Sequence, residues 1–337
     1  MIAIKRILRY VYNKIRNLYV TILLNFLRMQ NNKLTLGYDN NSSIDGTGAQ
    51  LQRIIGIACL AEFLNVKYVN NGIKDVTIHP LDSFQDENDK NIYLEKINSI
   101  FTPISVTTLE DNCEKLILSK MSVTQLLVLT GYYKIKKKHL HIDIAEPYKI
   151  IDAYPKIYKL AVGQFKKIDQ LRIKNEANQI QIVMHYRWGV GGGAIYHEQT
   201  ISRELPMNHY LDILAKVTEE IQAKETYKII VLTDAPLNSM RYKPSLSQKH
   251  LWVDTPGFDE KYLNILGTNF TQLAEKYPNV VEIVSGGDPL DAIKIMVNAD
   301  ILILSRSSLS YISALLNRNG QVFYPPNFWH PKLPTWT

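Results

Sequence analysis

Cysteine is almost missing from this chain: Cys59 and Cys113 are the only two in 337 residues, the first inside an apolar periodic stretch and the second close to Asp111 and Glu114. Two scattered thiols exclude a disulfide framework and a zinc ribbon and point to a reducing, cytosolic setting. The glycine patterns that cradle nucleotides are incomplete as well. No Walker A lysine motif occurs, and "GTG" at 46–48 is followed by Leu51 where a dinucleotide fingerprint needs its third glycine. P-loop NTPases and NAD enzymes are thereby disfavoured. His141 with Asp143, or His185 with His197, makes no three-ligand metal set. An Asp-any-Asp element is lacking at any strand end, the runs "DEND" and "DPLD" falling in loop-like or helix-start contexts.

Acidic residues are absent before Asp39, whereas Lys5, Arg6, Arg9, Lys14, Arg16, Arg28 and Lys33 precede it. Setting those seven aside from the 39 cations leaves 32, which balances the 32 acidic residues, so the net charge of +7 belongs to the N-terminal arm. A neutral body with one basic arm lacks the distributed cationic surface that tracks a nucleic-acid backbone, so no nucleic-acid partner is expected. Long apolar runs are missing too. Between Arg16 and Arg28 lie eleven uncharged residues, about 17 Å of helix against about 30 Å of hydrocarbon, too short to span a bilayer. Ile4, Leu8, Val11, Ile15, Leu18 and Ile22 recur at alternating spacings of four and three, an amphipathic helix with most cations off its apolar stripe. Such a helix can lie on an anionic membrane surface through residues 4–27, or pack on its own domain or a twin subunit. No small-residue cleavage site follows it, which argues against a secretory signal.

With 46% apolar composition, the chain can bury the core of two lobes. "NNKLTLGYDNNSS" (31–43) reads as a linker with an entering strand, after which a glycine turn opens a helix carrying Leu51, Ile54, Ile55, Ala58 and Leu64. Residues 73–178 are less legible: helical stretches are expected around 91–100, 114–130 and 155–175, with a basic run "KIKKKHLHI" whose "KKK" reads as a solvated face. From residue 180 the alternation is regular. Strands at 180–185, 227–234, 280–285, 300–305 and 321–325 alternate with helices at 207–224, 259–276, 289–298 and 308–317. Short apolar strands alternating with helices predict a parallel sheet with crossover helices. The expected division is an arm (1–33), a first lobe (34–178), a Rossmann-like second lobe (179–325) and a tail (326–337).

Polar clusters fall where strands give way to helices, and in such folds those positions converge. "IDGTGAQLQR" supplies Asp45, Gly46, Gly48 and Gln50; "MHYRWGVGGG" supplies His185 and Arg187; "VLTDAP" supplies Asp234; "SGGDP" supplies Asp288; and "LILSRSSLS" supplies Arg306, Ser307 and Ser308. The last opens a helix, where backbone amides, hydroxyls and a guanidinium can hold a phosphate, although serine is also the ordinary N-cap.

The ordered set "DGTGAQLQRIIGIACLAEFL", "HYRWG", "LTDAP" and "ADILILSRSSLSYISALL" resembles the bacterial fucosyltransferases related to α1,2-, and more distantly α1,6- and protein O-fucosyltransferases. Three positions depart from that pattern: Ala49 replaces an asparagine, Val190 an acid and Leu309 an aromatic residue. The resemblance implies an α/β GT-B fold of two facing Rossmann-like lobes with parallel sheets. The donor GDP-sugar would sit on the C-terminal lobe and the acceptor mainly on the other, with no metal and no further cofactor. It implies that Arg187 contacts the donor β-phosphate and His185 the nucleotide, that Ser307 and Ser308 cap the diphosphate, and that Asp234 and Asp288 reach the nucleoside. Phosphate chemistry without a metal then rests on arginine, and Arg187 is the catalytic candidate. Asp45, taken to stand at the end of the first strand, is the candidate base, or else a cap of its own turn.

The expected activity is metal-independent, inverting transfer of fucose from GDP-fucose to a glycan or lipid-linked saccharide, from the cytoplasm or the inner membrane face. A different nucleotide-sugar or pyruvyl-type donor, or a non-catalytic glycan-binding relative, is the alternative. The tail "FWHPKLPTW" is expected to cross back to the first lobe.

Overall fold

A computed structural model describes residues 15, 18–28, 34–41, 45–76, 86–103, 113–120, 122–136, 138–151, 155–165, 167–172, 179–187, 205–222, 226–234, 241–242, 260–278 and 281–337. The chain divides into two compact units. One comprises Met1–Asp45, Ala49–Val76 and Leu94–Ile168, the other Gly46–Gly48, Thr77–Tyr93 and Asp169–Thr337.

The first unit is built on a four-stranded sheet in the order β2-β1-β4-β3, with β1 Leu34–Tyr38, β2 Lys67–Val69, β3 Cys113–Lys120 and β4 His139–Glu146. Every pairing is parallel. β1, in the stretch read as linker and entering strand, is buried throughout. It leads to α1 (Thr47–Leu64), whose buried Leu51, Ile54, Ile55, Ala58 and Leu64 are the predicted face. α2 (Glu87–Ile100) agrees with the expected helix near 91–100.

Two expectations fail in this unit. The helix predicted at 114–130 is instead β3 followed by α2's successor α3 (Val123–Ile135), and the break is chemical: Ser122 and Gln125 form a reciprocal capping box that starts a new helix. As an edge strand, β3 buries little, so "EKLILSK" carries no strong strand signal. Of the "KKK" lysines, the described Lys136 and Lys138 are exposed as expected, and His139 then opens β4, whose residues 140–145 are buried. The helix expected at 155–175 is a pair of 3₁₀ segments, Pro155–Gln164 and Ile168–Leu171. Their buried Tyr158, Ala161 and Gln164, and then Ile168 and Leu171, recur every third residue, the repeat of a 3₁₀ rather than an α-helix.

In the second unit a six-stranded sheet runs β10-β9-β5-β6-β8-β7. Its strands are β5 Gln179–Tyr186, β6 Thr226–Thr233, β7 Arg241–Tyr242, β8 Val281–Ser285, β9 Ile301–Ile303 and β10 Gln321–Phe323. All pairs are parallel except β7 with β8. The helices α5 (Met207–Gln222), α6 (Glu260–Lys276), α7 (Pro289–Val297) and α8 (Ser308–Leu316) follow the predicted alternation; the short α4 (Tyr148–Ile151) precedes them in the first unit. Ile182, Met184, Ile229, Val231 and Ile283 of the strands pack with Tyr210, Leu214, Phe270 and Leu273 of the helices in one core. Parallel strands buried on both faces are necessarily apolar runs, so this half is the readable one. From β5 the chain steps to β6 and β8 on one side, then returns to place β9 and β10 on the other. The order reverses between β5 and β9, the switch point where such sheets open a crevice at the carboxyl ends of their strands. The expected α/β architecture of two parallel-sheet lobes is therefore present.

The tail does not depart from this unit. Thr337 N–H donates to Val322 O, Tyr324 N–H donates to Thr337 O, and Trp336 rests against Tyr311 and Tyr324. The segment expected to cross back pads β10 and α8 instead.

Candidate functional site

Polar side chains gather where β9, β5 and β6 end. His185, the penultimate residue of β5, is buried, and its Nδ1 lies 2.8 Å from Ser305 Oγ, two residues past β9. Burial, reinforced by the Arg187 charge and opposed by Asp234, pulls the imidazole down to about 4. His185 is thus neutral at physiological pH, a hydrogen-bonding group rather than a cation.

Arg187 and Asp234 each come directly after the last paired residues of β5 and β6, Tyr186 and Thr233. Arg187 Nη1 stands 3.1 Å from Asp234 Oδ2, with the two side chains only 14% and 18% exposed. The carboxylate thereby fixes one terminal nitrogen of a group that carries five N–H donors. A pre-positioned, half-desolvated guanidinium is what stabilises a developing phosphate charge, because it need not reorganise as the charge appears.

On the other side of β5, Arg306 Nε donates to Pro326 O at 2.9 Å. Ser307 is the N-cap of α8, its Oγ accepting from Leu309 N–H at 3.3 Å. Ser308 Oγ lies 3.1 Å from His330 Nε2, which also receives the Trp329 indole N–H at 2.8 Å. An indole N–H can only donate, so that nitrogen is an acceptor. The cap reading and the anion reading of these serines coincide in space, since the capped helix start is also the positive end of its dipole.

Other expected residues have structural duties. Asp288 is the N-cap of α7 through a 2.8 Å bond from Leu290 N–H, after Gly286 and Gly287, whose φ of 64° and 90° suits glycine. Gln50 is fully occupied: its Nε2 donates to Asp45 O and Asp75 O, and its Oε1 accepts from Tyr38 OH. Asp45 is not at a strand end. It lies seven residues beyond the end of β1, just before α1, with Oδ2 2.8 Å from Arg53 Nη2. Asp39 takes the place beside β1, buried, with its carboxylate accepting from Asn41 N–H. Gly46 and Gly48 group with the second unit, where a Cβ on Gly48 would come within 2.5 Å of Leu309 N. The second glycine of "GTG" is there for close approach of backbone. Trp188, Gly189, Val190 and the following glycines, with His197, lie outside the described residues.

Sequence reading missed two groups at this end of the sheet. His209, in the first turn of α5, has its pKa lowered by burial and by the Arg306 charge. Its only signal is a histidine following "LPMN" at a helix start. His330 was visible in "FWHPKLPTW" but had no partner until the fold brought it to Ser308. Among the described residues, no group of three His, Cys, Asp or Glu is placed to hold a metal ion.

No family model matches the sequence, and no curated protein matches it. Among solved structures, the chain is similar to the E. coli heptosyltransferase WaaC with ADP-2-deoxy-2-fluoro heptose, at 11% identity over 90% of this chain and 91% of that one, TM-score 0.38. It is also similar to fucosyltransferase NodZ from Bradyrhizobium, at 10% identity over 85% and 94%, TM-score 0.37. POFUT1 in complex with GDP is similar at 10% identity over 87% and 98%, TM-score 0.40. Likenesses this distant leave the reading of the chain to its own residues.

Proposed function

We propose that the chain is a metal-independent, inverting glycosyltransferase that uses a nucleoside-diphosphate sugar, with GDP-fucose as the donor. The observation that supports this reading is the Arg187–Asp234 pair set at the carboxyl ends of two central parallel strands, beside neutral His185 and the start of α8. The choice of fucose rests on the family resemblance of the motifs alone.

In the proposed reaction an acceptor hydroxyl oxygen attacks the anomeric carbon and the bond from that carbon to the β-phosphate oxygen breaks. The nucleoside diphosphate departs with the bonding pair, and the anomeric configuration inverts. Arg187 offsets the charge that grows on the leaving oxygen, so no general acid is required. The α8 N-terminus with Ser307 and Ser308 holds the remaining phosphate oxygens, and His185 contributes a neutral polar group towards the nucleotide. The hydroxyl proton is released to water as the new bond forms.

The test is thermal unfolding of the full chain with GDP, UDP, ADP, CDP and CMP. A ligand that binds only the folded state raises its melting temperature, by about 2.7 kcal/mol of stability at a hundred times Kd. A shift with GDP larger than with the other four is expected. No shift with any of them overturns the transferase reading in favour of a non-catalytic glycan-binding relative, and a larger shift with another diphosphate replaces the donor.

A further inference from the structure

The N-terminal helical segment, described at residues 18–28, is apolar on two opposite faces. Val20, Leu24 and Leu27 are buried, at spacings of four and three. Ile15, Leu18, Tyr19, Ile22 and Phe26 project from the other side, between 47% and 62% exposed. At about 100° per residue, the two sets centre on directions some 150° apart. One face therefore anchors the helix in the protein, and the other is a continuous stripe of five large apolar side chains in water. Isolated exposed apolar residues are ordinary, but a contiguous stripe along one helix marks a surface that something covers.

The flanking charge says what covers it. Every ionised side chain before Asp39 is a cation, seven in all, while the rest of the chain is neutral overall. Arg28 closes the described helix, its guanidinium 5.6 Å from the centre of the Phe63 ring. An apolar stripe bearing two aromatic side chains, in a sequence segment whose charged residues are all lysine or arginine, suits the boundary between acyl chains and anionic headgroups. A second copy of the same chain is a poorer fit, because pairing this segment with itself brings two cationic arms together.

We propose that this outer stripe seats the protein on an anionic lipid surface, with the Val20, Leu24 and Leu27 face holding the helix on the first unit. Burying the outer residues gives the affinity and the cations select the lipid charge. The helix lies along the surface; among the described residues no helix is long and apolar enough to cross a membrane. This inference stands apart from the transferase reading, since its readout is vesicle binding and needs no donor or acceptor.

The test is co-sedimentation of the full chain with vesicles of phosphatidylcholine alone and of phosphatidylcholine with one third phosphatidylglycerol. Binding to the anionic vesicles is expected, weakening steeply as salt is raised through the range where exposed charges become screened. Leu18→Ser, Ile22→Ser and Phe26→Ser combined should lower that binding at least roughly a hundredfold, the three side chains supplying most of the inserted area. Because all three are exposed, the melting temperature should stay within about 2 °C of the parent. The proposal is overturned if the triple variant binds as well as the parent, or if neutral vesicles bind equally. It is overturned as well if the parent sediments as a dimer without vesicles and the variant as a monomer.

Discussion

In the first unit, His141 and Asp143 are buried in mid-strand and close on their neighbours; in the second, Arg187 and Asp234 lie one step beyond the ends of their strands and are only partly buried. His141 and Asp143 sit two residues apart on β4 and so share a face, opposite Thr35 and Gly37 of β1. His141 bonds Thr35 at 2.9 Å through Nδ1 and Asp143 at 2.8 Å through Nε2. Asp143 also takes Asn71 Nδ2 and Lys115 Nζ, both at 2.9 Å. The carboxylate fits because residue 37 is glycine, whose added Cβ would fall 2.3 Å from Asp143 Oδ1. In the second unit Arg187 and Asp234 follow the last ladder pair. A closed mid-strand network gives a ligand nothing to bind, whereas donors past the end of a ladder can meet one. The two pairs differ in exposure as well, 1% and 4% for His141 and Asp143 against 14% and 18% for Arg187 and Asp234, so position along the strand and access to solvent change together.

Exchange of effects between the two clusters would break that distinction. Arg187→Ala should lower sugar transfer by about 10²–10³-fold, the usual cost of one preorganised donor to a developing anion, with little change in melting temperature. Asp143→Ala should do the reverse. Removing the acceptor shared by His141, Asn71 and Lys115 should cost about 3–5 kcal/mol of stability, while the rate per folded molecule stays the same. Gly37→Ala probes the same network from the neighbouring strand, and overpacking there should cost about 1–3 kcal/mol. Denaturant unfolding gives the stabilities, and transfer assays corrected for the folded fraction give the rates. An Arg187→Ala variant that unfolds early but transfers normally would place that pair with the scaffold.

The same difference explains what could be read from the sequence. Strands β5, β6, β8 and β9 sit inside a parallel sheet and appear as plain apolar runs, so the second unit was legible element by element. β3 is an edge strand with alternating partial burial, and β4 buries a histidine and an aspartate, so neither shows the apolar run that marks a central strand. His141 and Asp143 are affordable inside only because Lys115, Asn71, Thr35 and Gly37 come from three other segments, a condition no local window displays. At the site, strand-end residues His185, Arg187 and Asp234 were recognisable because their strands were. Asp45 was misplaced because "NNKLTLGYDNNSS" was read as linker plus strand, with the strand end set too late; β1 ends at Tyr38. His330 pairs with Ser308 across 22 residues, a contact that depends on how the tail folds back.

Acidification should sharpen the comparison by separating the two clusters along the pH axis. His185 titrates at about 4 in the folded chain, against about 6.5 when unfolded, because burial and then Arg187 oppose its protonation. The unfolded chain therefore binds the proton first. The contribution of His185 is intact above about 6.5 and is lost as pH falls to about 4, up to roughly 3 kcal/mol. Burial alone would raise Asp143, but the hydrogen bonds from His141 and Lys115 outweigh it and hold the carboxyl below its ordinary value. That stabilisation is present above the ordinary carboxylate range and disappears only as pH falls through the lower, folded value. Unfolding of the parent between pH 7 and pH 4 should show the first loss, and His185→Gln should flatten it. A variant that loses stability in parallel with the parent would show that the acid limb belongs to another group.

Asp288 offers the smallest and most discriminating effect, because it stands past the end of β8 as the site residues do, yet its Oδ1 is engaged by Leu290 N–H. Position suggests the site and bonding suggests the scaffold. Asp288→Ala should cost about 1 kcal/mol, the value of an N-cap, and Asp288→Ser should restore most of it, since a serine hydroxyl can accept the same amide proton. If capping is its whole duty, the serine variant also keeps the full nucleotide-induced shift in melting temperature. A serine variant that recovers stability but loses that shift would return Asp288 to the nucleotide site, and strand-end position would then outrank an observed hydrogen bond as the mark of function.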